Sequence, residues 1–342
     1  MSAEMCTFSF GWAEARAGQS ATKRAQRSQP AFMRVSVRIL SRVNLPTPLE
    51  RANLPGVETF LKREDLHELG AFKWRGALPA VASYRERGAS TVVTASTGNH
   101  GAATAWACGQ LDLRAIVYAP REASQAKLAK IRELGAELRL AGADFDEAKD
   151  AAREEATRLG LPFFEDGDEP AQYDGYGVIA DEILDQLGRP PGAVIVPVGN
   201  GALIGGIGRV LNERSPATRV VAAIAREAPV MALSYEAGEP VPCDRAATFA
   251  DGLAARVAIP RAVQTMREVV DRVVQVSERE IAQGVGAYAA AGIRIEGAAA
   301  AALAARTKIS DLPGPIVLIV TGRNIDEALY LMAVRHPDSF PS

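Results

Sequence analysis

From about Val93 onward the chain alternates short apolar runs with helical patterns. TVVTA (Thr91 to Ala95) is short and β-branched and predicts a strand; His100 to Gly109 predicts a helix. RAIVYAP (Arg114 to Pro120) reads as a strand. SQAKLAKIRELG (Ser124 to Gly135) reads as an amphipathic helix closed by glycine. AELRL (Ala136 to Leu140) is the next strand, followed by a charged helix from Asp144 to Leu159. Farther on, AVIVPV (Ala193 to Val198), VVAAIA (Val220 to Ala225) and PIVLIV (Pro315 to Val320) are apolar runs without polar alternation. Such strands are buried on both faces, which implies parallel sheets covered by helices. The pattern predicts an α/β architecture with two sheets, and its last helix covers Ile325 to Val334.

This rhythm divides the chain. Residues 88–173 form a self-contained strand–helix series and are expected to be a smaller inserted domain. Residues 44–87 and 174–342 then build a larger one. Residues 1–43 differ from both: between Gly18 and Arg38 they carry Lys23, Arg24, Arg27, Arg34 and Arg38 and no acid. A targeting peptide has such a composition, but the long apolar core of a secretory signal is missing. We read the segment as a disordered extension or an over-long start, with Met33 as an alternative initiator.

Composition narrows the partners. The 342 residues are 48% hydrophobic and 23% charged, with net charge -2. That balance argues against nucleic acid or an anionic membrane, which both want a basic excess. No apolar run is long enough for a membrane span. Cys6, Cys108 and Cys243 are few and widely spaced. Neither a disulfide framework nor a cysteine metal site is indicated, and a cytoplasmic setting is expected.

Three loops follow predicted strands and precede predicted helices, the edge where open α/β sheets bind ligands. They are ASTGNHG (Ala95 to Gly101), PVGNGALIGG (Pro197 to Gly206) and VTGRNID (Val320 to Asp326). The second fits a phosphate cradle, because its glycines leave backbone amides exposed at a helix N-terminus. It is neither a GK[ST] loop nor a GxGxxG fingerprint. Taken alone it is equally a site of close helix–strand packing, and His100 is equally a helix cap or a packed residue. Glu165, Asp166, Asp168 and Glu169 read as a solvated acidic loop. The remaining oddity is ELGAFKWRGA (Glu68 to Ala77), which sets Lys73 between Phe72 and Trp74. A lysine in a low-dielectric pocket becomes a nucleophilic amine; one that snorkels to the surface does not.

Together these motifs resemble the fold type II pyridoxal 5'-phosphate enzymes, the tryptophan synthase β superfamily, and within it the threonine/serine dehydratase and serine racemase group. The resemblance runs from TPLERA at Thr47 to the last helix. It includes LKREDLHELGAFKWRGA, VVTASTGNHG, IRELGAE, GYGVIADEI, VPVGNGALIGGI, ADGLA and VTGRNID. It implies a two-domain α/β fold with parallel-rich sheets covered by helices, a pyridoxal 5'-phosphate cofactor, an amino acid substrate and a homodimer. It implies that Lys73 holds the cofactor as a Schiff base and serves as base at Cα. Phe72 packs beside the ring and Asn99 bonds the ring hydroxyl. Ser96, Thr97, Gly98, Asn99 and His100 bind the substrate carboxylate. Gly199, Asn200, Gly201, Ala202 and Leu203 cradle the phosphate, and Thr321 faces the pyridine nitrogen.

A neutral partner at that nitrogen makes the ring a weaker electron sink and favours β-elimination, which disposes of charge quickly. The activity implied is an ammonia-lyase (dehydratase) reaction: a 3-hydroxy amino acid such as threonine or serine becomes a 2-keto acid and ammonia. A racemase, a β-replacement synthase or a catalytically weak cofactor-binding homologue are the alternatives on the same scaffold. The chain departs from the family at several points. Ala71 stands where serine is usual before Phe-Lys, and Thr97 where serine or alanine is usual. Thr97 keeps the hydroxyl that racemases use on the face opposite the lysine. Arg323 replaces a glycine, either as a cation near the cofactor edge or as a surface arginine in a tight turn. Ile224 stands where members with a divalent cation site carry a glutamate, so no metal is expected. Glu296 either orients the site or favours its helix N-terminus.

Overall fold

The computed structural model describes residues 46–342. The expected N-terminal extension, with Cys6, Met33 and the basic run, lies outside the described residues. Nine strands form two sheets among the described residues. The larger holds β1 (Leu49–Ala52), β2 (Thr59–Arg63), β6 (Ala193–Pro197), β7 (Arg219–Ala225), β8 (Arg272–Val276) and β9 (Ile316–Val320), in the order β1-β2-β9-β6-β7-β8. Only the β1–β2 pairing is antiparallel. The smaller sheet is parallel and holds β3 (Thr91–Ala95), β4 (Arg114–Ala119) and β5 (Glu137–Leu140).

The apolar runs occupy the places their composition demands. Every residue of β6 and β9, and all of β7 beyond Arg219, is buried. One face of the large sheet packs on α9 (Glu278–Ala290) and α10 (Gly297–Thr307). The other face packs on α5 (Pro170–Leu187), α6 (Ala202–Arg214), α7 (Val230–Ala237) and α8 (Pro260–Val269). In α10, Ala298 to Ala302 are all at most 3% exposed. Their small side chains let the helix lie close against the sheet. Around the small sheet lie α1 (Trp74–Glu86), α2 (Asn99–Gln110), α3 (Gln125–Glu133) and α4 (Phe145–Leu159), and α11 (Glu327–Arg335) follows β9. α4 starts where Asp144 accepts a bond from Glu147 N at 2.9 Å and stops at Gly160, whose φ is 63°.

Three strands are not visible in the apolar pattern. β1 and β8 are edge strands with partly exposed positions. β2 contains Lys62 and Arg63, both buried. Their charge hides the strand from a hydrophobicity scan, yet it is satisfied in place. Lys62 Nζ donates to Glu182 Oε2 at 2.5 Å, to Thr47 O at 2.7 Å and to Gln186 Oε1 at 2.9 Å. Arg75, also fully buried, donates to Glu64 at 2.7 and 2.9 Å and to Glu182 at 2.8 Å twice. This cluster ties β2 and the turn after it to α1 and α5. It therefore fixes the start of α1, two residues from Lys73.

Candidate active site

Lys73 is the residue just before α1. The segment leading to it is fastened to the loop after β9. Phe72 N donates to Thr321 O at 3.0 Å, Arg323 N to Gly70 O at 2.8 Å, and Asn324 Nδ2 to Leu69 O at 2.8 Å. The aromatics flanking Lys73 then part company. Trp74 is fully buried and stacks on His67 with ring centroids 4.4 Å apart. Phe72 stays with the lysine, its ring centroid 5.2 Å from Nζ. The Lys73 side chain is 16% exposed, neither sealed in nor snorkelling. Lys62 is buried more deeply, but three acceptors occupy its ammonium. Among these two lysines only Lys73 has an amine that a ligand can reach.

The acidic segment is not a solvated loop throughout, which corrects the sequence reading. Asp168 is exposed and reaches Arg261, while Glu169, mostly covered, pairs with Arg87. Asp166 turns inward, and its Oδ2 lies 2.6 Å from Lys73 Nζ. Its other oxygen accepts from Gln172 Nε2 at 2.6 Å, and Gln172 Nε2 also reaches the Tyr176 hydroxyl at 3.0 Å. His100 Nδ1 is 3.6 Å away. Burial pushes the Asp166 carboxyl up, but Lys73, then His100 and the Gln172 bond hold it well below the usual carboxylate range. It is a carboxylate at neutral pH. Nothing in the sequence distinguishes Asp166 from Asp168, because the inward turn is set by Gln172 on α5, whose Oε1 also accepts from Gly167 N at 2.8 Å.

The loop after β3 supplies the opposite wall. Ser96 is buried, and its Oγ accepts from Gly98 N at 3.1 Å. Thr97 is partly exposed, and a side chain at Gly98 would extend into open space. His100 is buried behind this loop, with Nε2 3.0 Å from Thr94 Oγ1 and the ring edge-on to Phe164. Burial pushes its proton affinity down, against Asp166, so the ring is neutral. Of its two readings, the packed residue describes its environment, although Asp166 lies in reach.

Asn99 joins the β3 and β9 loops. Its Nδ2 donates to Glu296 Oε2 at 3.1 Å, and its Oδ1 accepts from Asn324 Nδ2 at 2.8 Å. Asn324 is a further site residue that motif reading did not single out. Glu296 precedes α10 but makes no side-chain cap, so it serves the site and not its own helix. Burial pushes its carboxyl up to about 7, opposed by the bond from Asn99. A carboxyl whose folded value is raised keeps its proton in the native state after the unfolded chain has lost it. Stability then falls as pH rises from 4.5 to about 7. The expected result is that wild type loses about 3 kcal/mol relative to Glu296→Gln across that window. Urea unfolding at a series of pH values measures it; a constant difference between the two proteins would contradict the assignment.

The loop after β6 enters α6 through Gly201, whose φ is 89°. At Gly199 a Cβ would lie 2.3 Å from the Gly252 carbonyl oxygen, so both positions demand glycine. Asn200 Oδ1 accepts from Ala202 N at 3.1 Å. The helix N-terminus of α6, with Ala202 and Leu203, lies at the same edge of the large sheet as the loop after β9.

A half-buried lysine amine beside loops that follow strands of two helix-covered sheets is the arrangement of a cofactor-dependent enzyme, and the chain belongs to the pyridoxal-phosphate dependent enzyme family, which it matches over residues 40–322. Its relatives are similar in detail. It is 36% identical over 276 residues to the L-threonine ammonia-lyase of Geobacter sulfurreducens, covering 79% of this chain and 68% of that one. It is 35% identical over 231 residues to the biosynthetic L-threonine dehydratase of Pasteurella multocida, covering 67% of this chain but 45% of that one. Among solved structures, the processed form of threonine deaminase isoform 2 from Solanum lycopersicum superposes with a TM-score of 0.81 at 29% identity, covering 98% of both chains. Maize serine racemase gives 0.81 at 26% identity, covering 90% of this chain and 97% of the other.

The residues present fit pyridoxal phosphate. Thr321 Oγ1 is buried and has no hydrogen-bond partner, a state that usually costs about 1–3 kcal/mol. A pyridine nitrogen facing it would accept that bond. The amides at the start of α6 suit a phosphate, and Lys73 Nζ suits a carbonyl.

Proposed function

We propose that this chain is an ammonia-lyase that converts a 3-hydroxy amino acid such as threonine or serine to a 2-keto acid and ammonia. The observation that carries the reading is the placement of a reachable Lys73 amine beside the loop that holds the unpartnered Thr321 hydroxyl. The relatives named as threonine ammonia-lyases and dehydratases support it. Bound cofactor supplies an electron sink that makes the substrate Cα–H acidic. Lys73 would attach the cofactor and take the Cα proton. Asn99, held by Glu296 and Asn324, would bond the ring hydroxyl. Phe72 would pack beside the ring, and Gly199 to Leu203 would hold the phosphate through their amides. Ser96 to His100 would hold the substrate carboxylate. Thr321 would give the ring nitrogen a neutral partner. Water is lost across Cα–Cβ, and water then replaces the amino group, which leaves as ammonia.

The Thr97 hydroxyl keeps racemisation as the second reading. Purified protein loaded with pyridoxal phosphate is expected to release keto acid steadily from a 3-hydroxy amino acid without an added nucleophile. Loss of optical activity with little keto acid would instead identify a racemase. A protein that takes up no cofactor would overturn both. We also infer a cytoplasmic homodimer with residues 88–173 as a unit inserted between 44–87 and 174–342. The confinement of the small sheet to residues 91–140 supports that division, and no helix among the described residues is long and apolar enough to cross a membrane.

A further inference from the structure

Asp166 touches the Lys73 amine, yet none of the roles derived so far involves it. Its carboxylate is fixed from the far side. Oδ1 accepts from Gln172 Nε2 at 2.6 Å, and Gln172 Oε1 accepts from Gly167 N at 2.8 Å, so one amide clamps both the side chain and the turn that carries it. Gly167 has a φ of 99°, and a Cβ there would lie 3.2 Å from Asn200 Nδ2 in the loop after β6. This left-handed turn, set against that loop, aims Asp166 inward. Oδ2 is left for Lys73 Nζ at 2.6 Å. The other groups near Asp166 supply no cation: Gln172 and the Tyr176 hydroxyl behind it are neutral, and burial keeps His100 neutral. Glu296 also lies near Lys73, but its carboxyl is turned to Asn99.

The Lys73 amine is free at two stages: before cofactor attaches, and again once the substrate's amino group has replaced it there. At the second stage it takes the Cα proton. An N–H bond forms as the Cα–H bond breaks. The electron pair left behind forms the Cα=Cβ bond, and the β-hydroxyl leaves as water with the proton that the ammonium returns. The nitrogen thus passes from neutral to cationic and back within one turnover. A carboxylate already clamped beside it stabilises the cationic stage without having to move. In a cleft that holds little water the attraction is stronger than in solution.

We propose that Asp166 is a positioning residue for Lys73: it holds the amine in place whenever that amine is free, and it stabilises the ammonium formed when the Cα proton is taken. The second half rests on the Cα-proton step of the ammonia-lyase reading; the first half does not. Because Asp166 acts on the lysine and not on the substrate, it sets the rate of proton removal and leaves substrate affinity nearly unchanged.

Two measurements test it. In the cofactor-free protein, acetylation of Lys73 by an N-hydroxysuccinimide ester is followed by mass spectrometry. A nitrogen paired with a carboxylate offers the reagent no lone pair, so Asp166→Asn is expected to acetylate roughly tenfold faster, and Asp168→Asn at the wild-type rate. In the cofactor-loaded protein, exchange of the Cα deuteron of 2-deuterated 2-aminobutyrate, which has no leaving hydroxyl, is followed by NMR in ordinary water. Asp166→Asn is expected to slow exchange at saturation roughly 10- to 100-fold, with the half-saturating concentration within about threefold of wild type. A residue that only supported the fold would move both. Unchanged acetylation, an unchanged exchange rate, or a loss confined to affinity would overturn the proposal. If Asp166→Asn does not hold cofactor, acetylation decides alone; if it does not fold, Asp166→Ser is measured in its place with the same expectations. Keto acid release from serine and threonine separates the two readings. Exchange that depends on Asp166, without keto acid from wild type, sinks the lyase and spares the positioning role; steady keto acid release with exchange indifferent to Asp166 does the reverse.

Discussion

Lys73→Ala is expected to lose all borohydride-fixable cofactor and at least about 1,000-fold in keto acid release. The covalent link and the base at Cα depend on one amine, so both fail together. Reversible cofactor binding should persist, because the α6 amides, Asn99 and Thr321 are untouched. Mass spectrometry after borohydride reduction measures the link, and absorbance after gel filtration measures retention. The variant leaves a methyl group where four carbons and an ammonium were, beside an ionised Asp166. A small primary amine such as methylamine fits that gap and is neutralised there, so millimolar additions should restore part of the activity. Fixed cofactor in the variant would move the attachment to another lysine. Lys62 is the least suitable, since Glu182, Thr47 and Gln186 enclose its amine.

Arg75→Met is expected to destabilise the protein by roughly 3–5 kcal/mol, the usual consequence of removing one partner from a buried ion pair. Methionine fills much of the volume but leaves Glu64 and Glu182 facing each other with Lys62 as their remaining cation. Melting should fall by about 10 °C. The effect carries a pH signature. The Glu182 carboxyl is raised by burial, but Arg75 and Lys62 hold it below its ordinary value. A depressed carboxyl stabilises the fold above its unfolded value and loses that contribution as pH falls through the folded one. The gap between wild type and variant should therefore narrow in acid. Calorimetry at a series of pH values checks this. A gap that does not change with pH would mean that Arg75 acts by packing on Trp74, 4.8 Å from its guanidinium. Because Arg75 lies in the first turn of α1, the variant should also weaken cofactor retention by Lys73.

Legibility differed from place to place for physical reasons. β3, β6, β7 and β9 were readable within a residue or two, because strands buried on both faces must be continuously apolar. β1, β2 and β8 were not, since edge exposure or paired charge interrupts that signal. The three loops at the site were readable from glycine and from their position after strands. Their joining was not: Asn99 and Asn324 meet at 2.8 Å across 225 positions. Glu296 was left with two roles, and only the turn of its carboxylate toward Asn99 and away from its own helix chose one.

Asp166 shows the boundary most directly. Local composition placed four acids in a row of five positions and implied a hydrated loop, which holds for Asp168. The sequence by itself determined the α/β class, the parallel-rich sheets and the three loops that follow strands. All of these follow from local periodicity and from residue types that have few other uses. The tertiary structure alone decided the strand order, with β9 in the middle of the large sheet, and the buried Lys62–Arg75–Glu64–Glu182 cluster. It also decided which carboxylate faces the lysine. Those are pairings between distant residues, and the free energy of a charge depends on what surrounds it once water has been removed.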